Sequence, residues 1–308
     1  MADHAATIVV NPVSGSGRGE KLAADLAARL EKAGWSVEIK KTRGDGDAER
    51  FAAAAVEAGH DLVVAAGGDG TVQEVLCEIL KSEGRTALAH LPAGTTNAIA
   101  RAFGIGTDMK ELAESVVKNR IRSLDVGLIP EQGRHFLLMA TIGDPSRLVS
   151  GATRDLKNKL GFFAYVLAGL RAMLKPGVAH VGVEAGPDHL RGRANGLIVA
   201  NITRLQDPPL DLAAGKGAWD DGLLDVMMLH TRSALDWFRL ALAVLLRSRA
   251  LEGRRVQRVQ ARRIAVEAEP PLPVQVDGEV IGDTPLTVEV LPRALRVVVG
   301  ASLAGSGS

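Results

Sequence analysis

One short segment restricts the fold more than any other. Residues 61–66 form a continuous apolar run, followed at once by Gly67-Gly68-Asp69-Gly70-Thr71. Val72, Val75, Leu76, Ile79 and Leu80 come next, at the i, i+3, i+4, i+7, i+8 spacing of an amphipathic helix. A strand without polar alternation is covered on both faces, which is the state of a strand in a parallel sheet. A glycine-rich turn from such a strand into a helix is half of a βαβ unit.

The neighbouring sequence repeats this pattern. Residues 7–10 read as a strand ending in Asn11-Pro12, and Leu22, Leu26 and Leu30 mark a helix. Residues 36–41 read as a strand and 48–58 as a helix. Residues 87–91 are a further buried strand, with a short helix from about Thr95. Strands alternating with helices imply right-handed βαβ connections and a parallel sheet.

After about residue 130 the texture changes. Strand patterns at 135–142, 178–184, 196–201, 223–229, 263–267, 274–276, 287–290 and 295–299 are separated by turn signals such as Asp220-Asp221-Gly222 and Asp277-Gly278. Two helix patterns, about 155–175 and 233–249, interrupt them. The expected fold class is α/β: an N-terminal parallel-sheet nucleotide-binding domain, then a mainly antiparallel β-sandwich with inserted helices. The expected boundaries are 1–128, 129–300 and a flexible tail at 301–308.

Composition excludes several classes. The net charge of +1 argues against wholesale nucleic-acid binding. The single cysteine, Cys77, permits no intramolecular disulfide, lies among apolar residues and reads as a core thiol in a reducing, cytoplasmic setting. No apolar run approaches the ~20 residues of a membrane span, and the start lacks the marks of a signal peptide.

Chemistry concentrates in three loops that leave strand carboxyl ends, where ligands bind in open parallel sheets. They are Asn11-Pro12-Val13-Ser14-Gly15-Ser16-Gly17-Arg18, the Gly67–Thr71 loop, and Pro92-Ala93-Gly94-Thr95-Thr96-Asn97. Each is rich in glycine or hydroxyl side chains and opens a helix, whose free N–H groups favour phosphate. Ser14, Thr71, Thr95 and Thr96 add hydroxyl donors. Asp69 beside such N–H groups requires an intervening cation, and Mg²⁺ prefers one or two carboxylates with nucleotide phosphates. Asp69 therefore points to Mg–ATP. No loop ends in Gly-Lys-Ser/Thr, so this is not a P-loop NTPase.

Together the NPxSG-type loop, GGDGT and LPAGTTN, in this order from Asn11 to Arg101, resemble the diacylglycerol kinase catalytic family, which includes bacterial lipid kinases and the sphingosine and ceramide kinases. The resemblance covers nearly the whole chain. It implies an ATP- and Mg²⁺-dependent lipid kinase of phospholipid metabolism, peripheral at the inner face of the membrane, and leaves room for a homodimer. It implies nucleotide contacts at Asn11, Ser14, Gly15, Thr42, Gly67, Gly68, Gly70, Thr71, Gly94, Thr95, Thr96, Asn97 and Glu279. Asp125, in Ser123-Leu124-Asp125-Val126-Gly127, would join Asp69 in the magnesium network. Asp220, Asp221 and the main chain of Leu223 resemble a second, structural metal loop; as bare sequence they are a β-turn. Asp277, in Asp277-Gly278-Glu279, would be the general base, with Asp69 as the rival base; as bare sequence Asp-Gly is a hairpin turn.

The sequence departs from the family at Ala98, where many bacterial diacylglycerol kinases carry Asp. Sphingosine-kinase-like members also have a small residue there. Gly143-Asp144-Pro145-Ser146 is a second departure and a candidate acceptor-facing loop. The stripe of Leu156, Leu160, Phe163, Leu167, Leu170 and Leu174, widened by Phe162 and Val166, is either a packing face or an acyl-chain wall; the helix with Leu235, Phe238, Leu242 and Leu245 is similar. Arg247, Arg249, Arg254, Arg255, Arg258, Arg262 and Arg263 are either a solvated face or a patch for anionic headgroups. Two other readings compete: a soluble kinase of the NAD kinase type, and a non-catalytic lipid or nucleotide binder. GxGxxG spacing is missing from the first loop, against a dehydrogenase.

Overall fold

A computed structural model describes residues 4–143, 178–206, 209–211, 218–230, 236 and 256–304. The chain divides into two units, 1–124 with 293–308, and 125–292.

In the first unit, β1 (His4–Val10) leads through α1 (Arg18–Lys32) to β2 (Trp35–Lys41), and α2 (Asp47–Glu57) leads to β3 (Leu62–Gly67). Next come α3 (Asp69–Leu80), β4 (Ala87–Pro92), α4 (Ala98–Ala102) and α5 (Met109–Val117). β1 pairs in parallel with β2 and β3, and β3 with β4. Every residue of β3 and β4 is buried, as their unbroken apolar runs require. α1 buries Ala23, Leu26, Ala27 and Leu30, and α2 buries Ala48, Ala52 and Ala55. Small side chains let these helices lie close to the sheet, so a core poor in aromatics still closes.

The chain enters the second unit along β5 (Ile121–Ile129) and continues through β6 (Arg134–Phe136) and β7 (Met139–Gly143). β8 (Ala179–Ala185), β9 (Asp188–Ala194) and β10 (Gly196–Ala200) follow, then a small pair, β11 (Arg204–Gln206) and β12 (Pro209–Asp211). β13 (Leu224–Leu229), β14 (Val256–Ala261), β15 (Arg263–Glu269), β16 (Pro273–Val276), β17 (Glu279–Asp283) and β18 (Leu286–Val298) complete it. One antiparallel sheet runs β14-β13-β10-β7-β16-β17. The other places the first half of β18 beside β15, then β8 and β9. Ile142, Leu197, Val199, Val226 and Val274 of the first sheet share one apolar cluster with Val181, Val183, Ile264, Val266 and Val288 of the second. This is the expected sandwich, and β8 shows its period-2 burial directly.

The structure departs from the sequence reading at several points. The strand expected at 135–142 is two strands, broken at Leu137–Leu138. The two strands expected at 287–290 and 295–299 are one, β18. Its last half crosses back to pair in parallel with β4, so the chain's end belongs to the first unit. Residues 301–304 are not loose tail but a helical turn, α6, with Leu303 buried. Cys77 is half-buried rather than a fully buried core thiol. The helix expected from Thr95 starts at Ala98, because Asn97 is left-handed, with φ of 47°. α5, β9, β14 and β17 were not expected. The helix pattern at 155–175, that at 233–249 apart from Asp236, the Asp144–Ser146 part of the candidate acceptor-facing loop, and Arg247, Arg249, Arg254 and Arg255 lie outside the described residues. Among the described residues no helix is long and apolar enough to cross a membrane.

Leu295, Val297, Val298 and Val299 are all at most 1% exposed. Burial of one such side chain contributes about 1.5–3 kcal/mol, so four approach the whole stability of a typical domain, roughly 5–15 kcal/mol. A chain ending at Ala304 should melt like the full chain. One ending at Pro292 should lose the cooperative melting of the first unit, followed by circular dichroism.

Candidate active site

The three expected loops meet at the carboxyl edge of the first unit's sheet, around Ala93 and Gly94. The Gly67 carbonyl accepts N–H bonds from Ala93 (2.9 Å) and Gly94 (3.1 Å), joining the second loop to the third. The Asn11 N–H donates to the Ala66 carbonyl (3.0 Å), tying down the first. The contacts are close enough to demand glycine. A Cβ at Gly94 would lie 2.6 Å from the Gly68 Cα. At Gly15, with φ of +58°, it would lie 1.7 Å from the Ala93 carbonyl oxygen. Gly70 differs, since a Cβ there would meet nothing within 4 Å. Among the described residues packing does not require glycine at 70, and its open side is where a phosphate could approach the N-terminus of α3.

Asp69 is half-buried at that N-terminus. Its Oδ2 accepts the Ala98 N–H and its Oδ1 the Ile99 N–H, both at 3.0 Å. The carboxylate thus satisfies the first donors of α4, which would otherwise be orphaned. Each oxygen keeps a lone pair for a cation or its water. Ala98 contributes its N–H to this site and no carboxylate.

Other expected contacts have structural tasks. The Gly94 N–H donates to Asn97 Oδ1 (3.0 Å), and Asn97 Nδ2 donates to the Gly94 carbonyl (2.8 Å), so the Asn97 side chain braces its own loop. Thr71 is buried against Gly67 rather than open to a ligand. Thr42 is buried, its N–H donating to the Val10 carbonyl. Asn11 Oδ1 accepts the Val13 N–H at 3.2 Å. Thr95 is exposed, while Ser14 and Thr96 are half-buried.

His90 was missed. It is fully buried in β4, and its Nε2–H donates to the Gly67 carbonyl at 3.2 Å. Burial lowers its pKa, opposed by the nearby Asp69 charge and the Gly67 bond, and holds the ring neutral. Its signal was a lone polar residue inside the apolar run 87–92.

In the second unit, Asp277 and Gly278 form a two-residue hairpin turn between β16 and β17, with φ of 43° and 101°. The turn directs the Asp277 carboxylate onto the N–H groups of Leu137 (2.7 Å), Leu138 (2.9 Å) and Met139 (2.9 Å). This bond set breaks the strand expected at 135–142. The hairpin reading of Asp-Gly is what the structure shows, and the turn fixes a carboxylate. Glu279 is exposed and paired with Arg134.

Asp125 is buried, and its Oδ2 accepts the Gly222 N–H at 2.6 Å. Asp221 Oδ1 accepts the Leu223 N–H at 3.0 Å, closing the turn locally. Asp220 is half-buried and Asp221 exposed. Among the described residues no three His, Cys, Asp or Glu side chains converge on a metal position. Asp69 still fits Mg²⁺, which commonly takes one or two protein carboxylates and completes its shell with water and phosphate.

A parallel α/β unit with N–H-rich loops at its strand ends is followed in the chain by a β-sandwich. Residues 5–129 match the diacylglycerol kinase catalytic domain, and residues 146–299 match the YegS C-terminal NAD kinase beta sandwich-like domain. The chain is 34% identical over 278 residues to a "Probable lipid kinase YegS-like" of Pseudomonas aeruginosa, covering 90% of this chain and 89% of the relative. It is 29% identical over 295 residues to a "Diacylglycerol kinase" of Bacillus subtilis, covering 96% of each. A crystal structure of a diacylglycerol kinase from Bacillus anthracis str. Sterne superposes with a TM-score of 0.75 at 25% identity, covering 98% of each chain. The chain belongs to the diacylglycerol kinase catalytic-domain family.

Overpacking a tight contact costs typically about 1–3 kcal/mol. Gly94→Ala should therefore lower the melting temperature measurably, whereas Gly70→Ala, opening on free space, should leave it unchanged; scanning calorimetry reads both.

Proposed function

We propose that this protein transfers the γ-phosphoryl group of Mg–ATP to a hydroxyl of a diacylglycerol-like, sphingoid or ceramide lipid. The observation that carries the reading is the loop junction, where Asp69 is anchored on backbone N–H groups beside the open side of Gly70. The free N–H groups at the start of α3 would bind phosphate oxygens. Asp69 would hold the magnesium ion, which when bound neutralises the charge on the transferred group. The Gly67 carbonyl, fixed by three donors, keeps the second and third loops in register while the phosphates are bound.

Positioning dominates such transfers, because the transition state is loose and asks little covalent chemistry of the protein. A rigidly aimed carboxylate suits that task. Asp277 has the firmer mount, with three N–H donors against the two of Asp69, and we assign it to orient the acceptor hydroxyl and take its proton. Asp69 is left to the metal. Ala98 removes one carboxylate from the network typical of bacterial diacylglycerol kinases, and for that reason sphingoid bases and ceramide stay among the acceptors. Relatives named as diacylglycerol and lipid kinases support a lipid acceptor, and it is consistent with work at the inner membrane surface.

The test is purified protein with labelled ATP and Mg²⁺ against diacylglycerol, sphingosine, ceramide, monoacylglycerol and NAD. A labelled lipid is expected; label on NAD alone, or on nothing, rejects the reading. Asp277→Asn should reduce kcat by about a thousandfold or more while ATP affinity holds, on the scale of losing a group that acts in the transition state. Unchanged turnover would remove Asp277 from the mechanism. Gly70→Ala, neutral for folding, should weaken ATP.

A further inference from the structure

The carboxylates assigned above to the second unit are linked by one amide. Asn201 follows β10 and is 2% exposed. Its Nδ2 donates to the main-chain carbonyls of Asp125 (2.6 Å) and Leu137 (2.9 Å). Its own N–H, and that of Ile202, donate to the Leu138 carbonyl at 2.9 and 3.1 Å. On the opposite side of the same two peptides, Asp277 accepts the N–H groups of Leu137, Leu138 and Met139. The Asp277 N–H returns a bond to the Met139 carbonyl at 3.1 Å. Every main-chain polar group of Leu137 and Leu138 is therefore held from one side by Asp277 and from the other by Asn201 and its neighbour.

The same amide reaches Asp125. That residue receives Asn201 at its carbonyl, donates its N–H to the Trp219 carbonyl (2.8 Å), and accepts the Gly222 N–H on its carboxylate. A continuous hydrogen-bonded chain thus runs from Asp277 through 137–139 and Asn201 to Asp125 and the 219–222 turn.

The amide orientation is determined. Both Nδ2 protons face carbonyl oxygens, and a flipped amide would set its own oxygen against two others. Among the described residues Asn201 Oδ1 has no hydrogen-bond partner.

The geometry assigns Asn201 as a positioning residue that fixes the orientation of the Asp277 carboxylate through the Leu137–Met139 turn, and the backbone position of Asp125 through its carbonyl. Asn201 touches no reacting atom; it acts through the two aspartates. This inference rests on the kinase reading for its catalytic consequence, but the clamp itself can be measured without turnover.

The experiment compares the full-length wild type with Asn201→Ser, Asn201→Ala and Asn201→Asp, all well below their melting temperatures. Ser keeps one donor, Ala none, and Asp replaces both donors with acceptors facing carbonyls. Amide hydrogen exchange at Leu137–Met139 should rise in the order Ser, Ala, Asp, by about tenfold or more for Ala, with exchange in β3 unchanged. On the accepted lipid, kcat should fall in the same order, from a few-fold for Ser to about ten- to a hundredfold for Ala, with KM for ATP unaltered. If no acceptor is phosphorylated by the wild type, the kinase reading fails while the exchange data still decide the clamp. Exchange at 137–139 that does not change in the Ser and Ala variants overturns the clamp. Raised exchange with wild-type kcat overturns the positioning role and leaves the kinase reading standing.

Discussion

The carbonyl of Gly67 is the point on which the nucleotide side of this molecule depends. It ends a fully buried strand and takes hydrogen bonds from Ala93, Gly94 and His90. Those bonds bring the second and third loops close enough that Gly68 and Gly94 tolerate no side chain between them. Asp69 repeats the link from the other direction by taking the first donors of α4. The edge proposed to bind phosphate is thus a pre-assembled set of peptide groups. That suits a reaction in which rigid placement does most of the work.

The second unit uses the same device. A carboxylate on a tight turn is held by consecutive backbone N–H groups, and the peptides that hold it are secured in turn by a buried amide. In both units backbone N–H groups hold the candidate aspartate. Surface ion pairs such as Arg29–Asp25 contribute little by comparison.

Much of this was legible in the sequence, for identifiable reasons. Strands β1, β3 and β4 are continuous apolar runs because both faces are covered, and the loops after them announce themselves by glycine. Strand alternation exposed the sandwich. What stayed hidden depends on long-range pairing. Nothing local distinguishes Val297 as a strand partner of β4 rather than part of the sandwich, so the return of the chain to the first unit was missed. The break at Leu137–Leu138 follows from a residue 140 positions away, Asp277. His90 and Asn201 looked like single polar residues in or at the end of apolar strands, and only their partners reveal what they do. Gly94 and Asn97 were expected to touch phosphate, but most of their polar groups are engaged with each other.

The central claim is that the junction of the three loops is the anion cradle. The most direct test is amide NMR of the full chain during titration with magnesium and a non-hydrolysable ATP analogue. The account predicts saturable shifts concentrated at Gly68–Thr71 and Gly94–Asn97, with the amides of β8 and β9 unmoved. Saturable binding that leaves those loop amides unperturbed would contradict it.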